Sequence, residues 1–547
     1  MRAVCRDMGA CAAPVVAAHR LSLLSVAPEL EVDFAVPAEL RAAFGFSREG
    51  NLRDWTLRIA HGVTDFLLAA FARGSGHAVS FRNAAQADPT DREFIAVLRR
   101  RADPATLTVY LDDAADPPDD VRVAPSAFLA AGSTLWCASG SVGDGDIATL
   151  LRASDLCMRM AYYDAALEWA QRGRALIDSE ARVEDYGKLT RNTLFALLLL
   201  GRIAEAEAEC VEMQRREPDP ALLAHVTYVM AILNARLYDP ARHDYDAAKA
   251  WIERSMDFTD RLPASETRAV NRAFLMNTMA LVEMRKGRHA AAFDLLDAGL
   301  RHMEAQAPTK YRAECGILLH NRARLHVAVK QPVNAIADLT ELLGLEPSNS
   351  DAHFDRGRLH QQKGDHAAAL RDYGAALHWS PPYWQPHFNR AQSLVALGRH
   401  QEALAEYARV GVLDPGQTGA QARVHCLRGI LAMEQRDDAA AFASFSAAIE
   451  ADPGLADAWA NRATIHFRRS DAAAALQDLH RALTLREDGE AFYNRGRILE
   501  SLQRPVEAIA DYRRALTLGA SQPEEIQRRL NRFAGQKAHG QPAERAV

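Results

Sequence analysis

From about Ile147 to Gly519, small, aromatic and proline positions recur with one spacing. Ala352-His353-Phe354-Asp355-Arg356-Gly357 leads through Lys363-Gly364-Asp365 and Ala369 to Tyr373, Ala376 and Pro381. Pro386-His387-Phe388-Asn389-Arg390-Ala391 leads through Leu397-Gly398-Arg399 and Ala403 to Tyr407, Val410 and Pro415, offset by 34 residues throughout. Ala458-Trp459-Ala460-Asn461-Arg462-Ala463 leads through Ala475 to Leu479 and Ala482. The spacing predicts a hairpin of two short antiparallel helices per unit. Small residues sit where the helices touch, Gly357 or Ala391 on the first and Ala369 or Ala403 on the second, because a larger side chain would push the axes apart. Tyr373, Tyr407 and Phe445 are expected to fill the space between one hairpin and the next. Gly364 and Gly398 close the first helix with the backbone conformation a C-terminal cap requires. Pro347, Pro381, Pro415 and Pro453 stop the second.

Further units follow on the same template. Gly316–Pro347 carries Ala323, Ala335 and Leu339, and Gly489–Gly519 carries Gly496, Ala508, Tyr512 and Ala515. Ala422–Pro453 carries Gly429, Ala441, Phe445 and Ala448 after a short insertion around Thr418–Gln421. Upstream, Gly187–Pro218 keeps Gly201 and Ala206, and Ala273–Met303 keeps Gly287 and Ala292. Tyr163-Asp164-Ala165-Ala166 and Tyr245-Asp246-Ala247-Ala248 each read as the start of a second helix. Gln522–Phe533 reads as a final amphipathic helix with a polar outer face, and the chain from Gln536 as a polar tail. Residues 147–520 thus form about ten hairpins and residues 521–547 a cap and tail. This repeat resembles the tetratricopeptide repeat (TPR). The resemblance implies a mainly α chain built as a helical-hairpin solenoid, with a small N-terminal α/β region and a concave face lined by the first helices.

Registering the repeats puts His320 and Arg324, Phe354 and Arg358, Phe388 and Gln392, Cys426 and Ile430, Ala460 and Thr464, and Tyr493 and Arg497 on that face. Aromatics and arginines dominate binding hot spots, so a protein or peptide partner is the expected occupant. Carboxylate-clamp TPRs use paired Lys and Asn on this face. Phe354/Arg358 and Phe388/Gln392 stand there instead, so that mode is not supported. The recurring pairs Asn321-Arg322, Asn389-Arg390, Asn461-Arg462 and Asn494-Arg495 lie one residue before the small packing position. Hydrogen bonding of each Arg between hairpins accounts for them.

Residues 1–111 follow another pattern. Leu57–Ala72 is an amphipathic helix, His77–Phe81 a short buried strand, Asp91–Arg101 a helix and Leu107–Leu111 a second apolar strand. That order predicts a parallel βαβ unit. The Asp-, Ala- and Pro-rich stretch that follows begins a linker over residues 112–146. The segment resembles a degenerate STAND-class (AAA-like) regulatory ATPase, in which a Walker B strand ends in two acids before a turn and a helix. Here Arg82 and Asn83 occupy the acid positions, and Asp88-Pro89 fits the turn. An arginine there would repel Mg²⁺. The chain has no GxxxxGK[ST] motif, and Gly132, Gly140, Gly143 and Gly145 are scattered loop glycines, so nothing cradles phosphates.

The remaining chemistry narrows the classes without adding a site. Lys+Arg 65 against Asp+Glu 71 leaves a net charge of −6, which argues against direct nucleic-acid binding. No apolar run approaches the ~20 residues of a membrane span. Residues Ala10–Ala18 are too short, and interrupted by Pro14, for a secretion signal. Met8-Gly9-Ala10-Cys11 lacks the preceding apolar stretch of a lipoprotein signal. Seven scattered cysteines without CxxC or zinc spacing fit free thiols in a reducing cytoplasm. Arg in excess of Lys and abundant Ala match a GC-rich bacterial genome. No catalytic constellation emerges: GxSxG and HExxH are absent, and His353, His360 and His366 do not make a helical metal pair. The Asp112–Asp120 acids read as a solvated linker. The expectation is a cytoplasmic, non-catalytic interaction scaffold without cofactor or metal, in a regulatory or biosynthetic assembly. The alternative is a STAND-type regulatory switch that still senses nucleotide or a partner.

Overall fold

The computed structural model describes residues 12–19, 22–23, 52–72, 77–82, 89–103, 106–112, 147–159, 163–177, 183–216, 219–237, 243–308 and 314–539. Cys5, Cys11, Cys137, the turn at Asn83–Asp88, the linker beyond Asp112 and the four scattered loop glycines lie outside them. The chain divides into two compact units, Met1–Pro382 and Tyr383–Val547.

The first unit opens with a lobe of α1 (Ala12–Ala18), α2 (Leu52–Phe71), β1 (His77–Arg82), α3 (Pro89–Arg101) and β2 (Leu107–Asp112). The strands pair in parallel, from His77 opposite Leu107 to Arg82 opposite Asp112, so strand, helix and strand form the expected parallel unit. Val79 and Phe81, two apart and therefore on one face, pack with Phe66, Leu67, Leu98 and Leu107. Proline begins α3, where a missing N–H costs nothing, and Arg99, Arg100 and Arg101 complement the negative end of its dipole.

Six hairpins follow in the same unit: α4 (Ile147–Arg159) with α5 (Tyr163–Leu176), α6 (Val183–Leu199) with α7 (Ile203–Arg215), and α8 (Pro220–Ile232) with α9 (Tyr245–Asp260). Then come α10 (Glu266–Arg285) with α11 (His289–Gln306), α12 (Gly316–Ala328) with α13 (Pro332–Leu345), and α14 (Ser350–Gln362) with α15 (His366–His378). Tyr163 and Tyr245 do begin second helices. The third hairpin departs from the pattern, since α8 runs on into a π-helical turn at Leu233–Leu237.

The second unit holds four more: α16 (Trp384–Ala396) with α17 (His400–Leu413), α18 (Thr418–Glu434) with α19 (Asp438–Ala451), α20 (Ala456–Arg468) with α21 (Ala472–Leu485), and α22 (Gly489–Ser501) with α23 (Pro505–Thr517). Thr418–Gln421 is not a separate insertion but the first turn of α18, which is lengthened by it. The final helix, α24 (Pro523–His539), continues past Gln536. Ile526 is buried in the last core, where Leu530 and Phe533 also pack, which covers the apolar side of the tenth hairpin.

Side-chain sizes explain how the helices of a hairpin approach. A Cβ on Gly357 would lie 2.8 Å from the Tyr373 ring, one on Gly429 2.5 Å from Phe445, and one on Gly496 2.8 Å from Tyr512. The large ring therefore packs across its own hairpin, sixteen residues after the glycine, rather than only between hairpins. Where the first position is alanine, as in Ala323 and Ala463, the sixteenth residue on is a leucine, Leu339 or Leu479, in the same core. Ala391 with Tyr407 is the exception, both fully or nearly fully buried.

In eight of the hairpins the described turn holds a left-handed residue. Gly201, Gly287, Gly364 and Gly398 have φ between 70° and 80°, and Gly519 plays the same part after α23. Lys330, Arg436, Ser470 and Gln503 hold the equivalent turns with φ of 57–63°, a region that costs a side chain about 1 kcal/mol or more. Hydrogen bonds from Asp437 N to Ala432 O and from Arg436 N to Met433 O keep that turn closed all the same. Ser470→Gly or Arg436→Gly should therefore stabilise its hairpin by roughly 0.5–1 kcal/mol, after the extra freedom of unfolded glycine is subtracted. Gly398→Ala should cost a similar amount, and denaturant midpoints of the three variants check the opposite signs.

Candidate functional site

The first helices carry two sets of side chains with different fates. One set is the arginines just before the small packing position, those of the Asn-Arg pairs together with Arg356, which follows Asp355. Arg356 donates from Nε and Nη2 to both oxygens of Asp372, at 2.9 and 2.7 Å, and from Nη1 to Thr340 Oγ1 at 3.1 Å. Arg462 repeats this with Asp478 at 2.8 and 2.9 Å and Ser446 at 3.3 Å. Arg322 grips Asp338 in the same two-pronged way and reaches Asp297 at 2.8 Å. Arg495 makes the fork to Asp511, with both bonds at 2.7 Å. Each fork joins the two helices of one hairpin, and the spare nitrogen of the first three reaches the second helix of the hairpin before. The arginines thus act mainly within hairpins and only secondarily between them. They are structural clamps with buried carboxylates.

Those carboxylates carry further partners. His353 Nδ1 lies 3.5 Å from Asp372, and His326 and His466 each lie 3.7 Å from the acids of their own clamps. Burial alone would push the Asp372 carboxyl up. Hydrogen bonds from His353 and Arg356 outweigh it and hold the group below the usual aspartate value. In the seventh hairpin Glu406 replaces the aspartate, bonded to His387 at 2.6 Å and Arg390 at 3.2 Å.

The other set is the twelve residues that the repeat register puts on the concave face. In the first unit His320 is buried and bonds Asp355 at 2.9 Å, so its ring is turned to structure rather than to solvent. Arg324 is exposed, one helix away from the half-buried Phe354 and the exposed Arg358. The Arg358 guanidinium stands 6.0 Å over the Phe354 ring, and that ring packs 5.9 Å from Tyr373. In the second unit Tyr493 is buried beside Tyr512, with exposed Arg497 stacked at 5.7 Å. Phe388 meets the Tyr407 ring edge-on at 5.4 Å, and Gln392 is half-buried one turn later. Arg423, not singled out from the sequence, stacks 5.6 Å over Phe388. Cys426 is buried, and Ile430, Ala460 and Thr464 are half-buried.

The described cysteine thiols are muted by burial. Burial pushes the thiols of Cys157 and Cys315 up to about 11 and those of Cys210 and Cys426 to about 12. Such thiols stay protonated at neutral pH and make poor nucleophiles. Among the described residues no group of three metal-ligating side chains assembles, and no helix is long and apolar enough to cross a membrane.

Five overlapping windows match the tetratricopeptide repeat family model, at residues 320–385, 356–420, 388–456, 426–489 and 460–523. Together these windows span residues 320–523. The chain is also similar to tetratricopeptide repeat protein 36 of Bos taurus and of Homo sapiens, 34% identical over 105 residues in each case. Those 105 residues are 18% of this chain, which spans about half, 56%, of the length of these relatives. Among solved structures, a TPR protein from Parabacteroides merdae aligns over 47% of this chain and 97% of its own, at 20% identity and a TM-score of 0.37. YrrB, described as a TPR protein with an unusual peptide-binding site, aligns over 36% and 99%, at 24% identity and a TM-score of 0.28. TPR proteins act as protein-interaction scaffolds, and the clamps, rings and turn residues above are what hold such repeats together here.

Proposed function

We propose that this chain is a non-catalytic scaffold of the cytoplasm, serving a regulatory or biosynthetic assembly by capturing a peptide or helix of a protein partner along its first helices. One observation carries the reading. An exposed arginine lies stacked on an aromatic ring one helical turn earlier at Phe354/Arg358 and again at Tyr493/Arg497. The half-buried Phe354 offers part of an apolar face, and at both places the ring holds the exposed guanidinium in position before binding, which lowers the cost of association. His320 and Arg324 stand on α12, the first helix before the Phe354/Arg358 pair, and Phe388 and Gln392 are the corresponding residues of α16. His320, being buried and bonded, serves by orienting Asp355.

Capture with the full chain as bait supplies a binder. The double variant Phe354→Ala, Arg358→Ala should then weaken that binder by about tenfold or more, with helical content unchanged. Equal affinity for variant and parent would remove the groove assignment. The second reading, a STAND-type switch, is favoured only by the parallel β1–α3–β2 unit. A titration of the full chain with ATP and Mg²⁺ separates the two, because a switch would show a thermal shift and a scaffold would not.

A further inference from the structure

Helix α2 is buried on nearly every side over one stretch. Ala60, His61, Gly62, Val63, Thr64, Phe66 and Leu67 are all buried. These residues point in all directions around the axis, and a helix covered all round needs a neighbour on each face. The lobe supplies two of them. Phe66 and Leu67 enter its core with Leu98 and Leu107, and Asp65 pairs with Arg101 of α3. The face at Gly62 is turned toward Ser22 and toward Pro382, at the end of the sixth hairpin. A Cβ at Gly62 would fall 1.7 Å from Ser22 Oγ and 3.1 Å from Pro382 Cδ, so this approach requires glycine. One turn earlier, Arg58 Nη1 donates to Ser380 Oγ at 3.4 Å, across 322 residues of sequence.

The other side of the contact is unusual in the same way. Pro347, Pro415 and Pro453 occupy equivalent links between hairpins, and all three are exposed. Pro381 is buried, as is Ser380 before it, whose hydroxyl also bonds the Pro381 carbonyl at 3.0 Å. A helix covered beyond what its own lobe supplies thus faces a link covered beyond what its equivalents need.

We propose that the Ser380-Pro381-Pro382 link is a docking surface for the chain's own N-terminal lobe, and that α2 seated on it is a latch. Among the described residues the latch includes a long hydrogen bond and a glycine–proline face, a contact that the covalent tether between the two parts favours and that a competitor can open. A partner using this link must first displace α2, so docking of the lobe and use of the link exclude each other. The inference stands on contacts within the first unit and does not depend on the groove reading above.

Hydrogen–deuterium exchange on the full chain tests it, reading the amides of positions 379 and 380 in the link (Pro381 and Pro382 have none to exchange) against each variant's intrinsic rates and, as a control for an intact lobe, the amides of β2. Ser380→Arg sets a second guanidinium against Arg58 and should speed exchange in the link by about tenfold while β2 keeps its protection. Adding Arg58→Ser exchanges the two partners across the contact and should restore slow exchange. The latch is overturned if link exchange is unchanged in Ser380→Arg, or if it rises and the Arg58→Ser exchange of partners does not restore it.

Discussion

Asp372→Ala will destabilise the sixth hairpin by about 3–5 kcal/mol, because it strands a guanidinium that three helices were built to neutralise. Arg356 gives both faces of its fork to Asp372 and its remaining Nη1 to Thr340. With the carboxylate gone, the half-buried charge keeps one neutral partner and the His353 Nδ1 loses its acceptor. Repeat arrays lose such free energy locally, so the loss should appear as faster amide exchange in α14 and α15 before any change in α18–α19. Replacing both partners together, Arg356→Met with Asp372→Leu, should recover most of the loss, since a buried ion pair is worth little against well-packed apolar groups. Failure of the double variant to recover would mean that the clamp also sets the register of the hairpin.

The same carboxyl fixes a pH dependence with a definite sign. Its value in the folded chain lies below the ordinary 3.8, so folding favours the ionised form. The associated stability is fully present above the ordinary value and is lost as pH falls through the lower, folded one. Acid titration of the parent should loosen α14–α15 in that window. Asp372→Ala should show no such step, being already loosened at neutral pH.

Much of this was legible in the residues, and the parts that were not share a cause. Hairpin boundaries, turn glycines and the parallel β1–α3–β2 unit all follow from patterns within some forty residues of sequence. The clamp acids were equally regular, since Asp338, Asp372, Asp478 and Asp511 each follow their arginine by sixteen residues. Reading the Asn-Arg pairs alone hid that, because the partner lies on the other helix of the hairpin, where an isolated aspartate looks like surface. His320 is a similar case. Repeat register puts it among the residues expected on the concave face, and the nearby Asp355 on the next hairpin gives its ring a structural partner. The turns held by Lys330 and Gln503 show that a left-handed position is set by the hairpin and merely preferred by glycine. The contact of α2 with Pro382 has no sequence period at all, so no reading of repeats could have found it.

The pairing of sizes across each hairpin leads to the last expectation. Gly429→Ala will cost about 1–3 kcal/mol, as the added methyl would stand 2.5 Å from a fully buried Phe445 ring that has no room to retreat. The chain contains its own remedy. In the ninth hairpin Ala463 sits with Leu479, and in the fifth Ala323 sits with Leu339, each pair closely buried. Gly429→Ala combined with Phe445→Leu should therefore return most of the lost stability, although Phe445→Leu alone leaves a void and destabilises. A double-mutant cycle on denaturant midpoints reads the coupling directly, with a favourable interaction of at least about 1 kcal/mol expected. Additive effects would instead mean that the hairpin adjusts its interhelical distance freely; Ala391 and Tyr407, both buried, already combine alanine with a ring in the seventh hairpin. The choice between glycine with a ring and alanine with leucine is then a property of each hairpin's spacing, and the sequence records it as a correlation sixteen residues long.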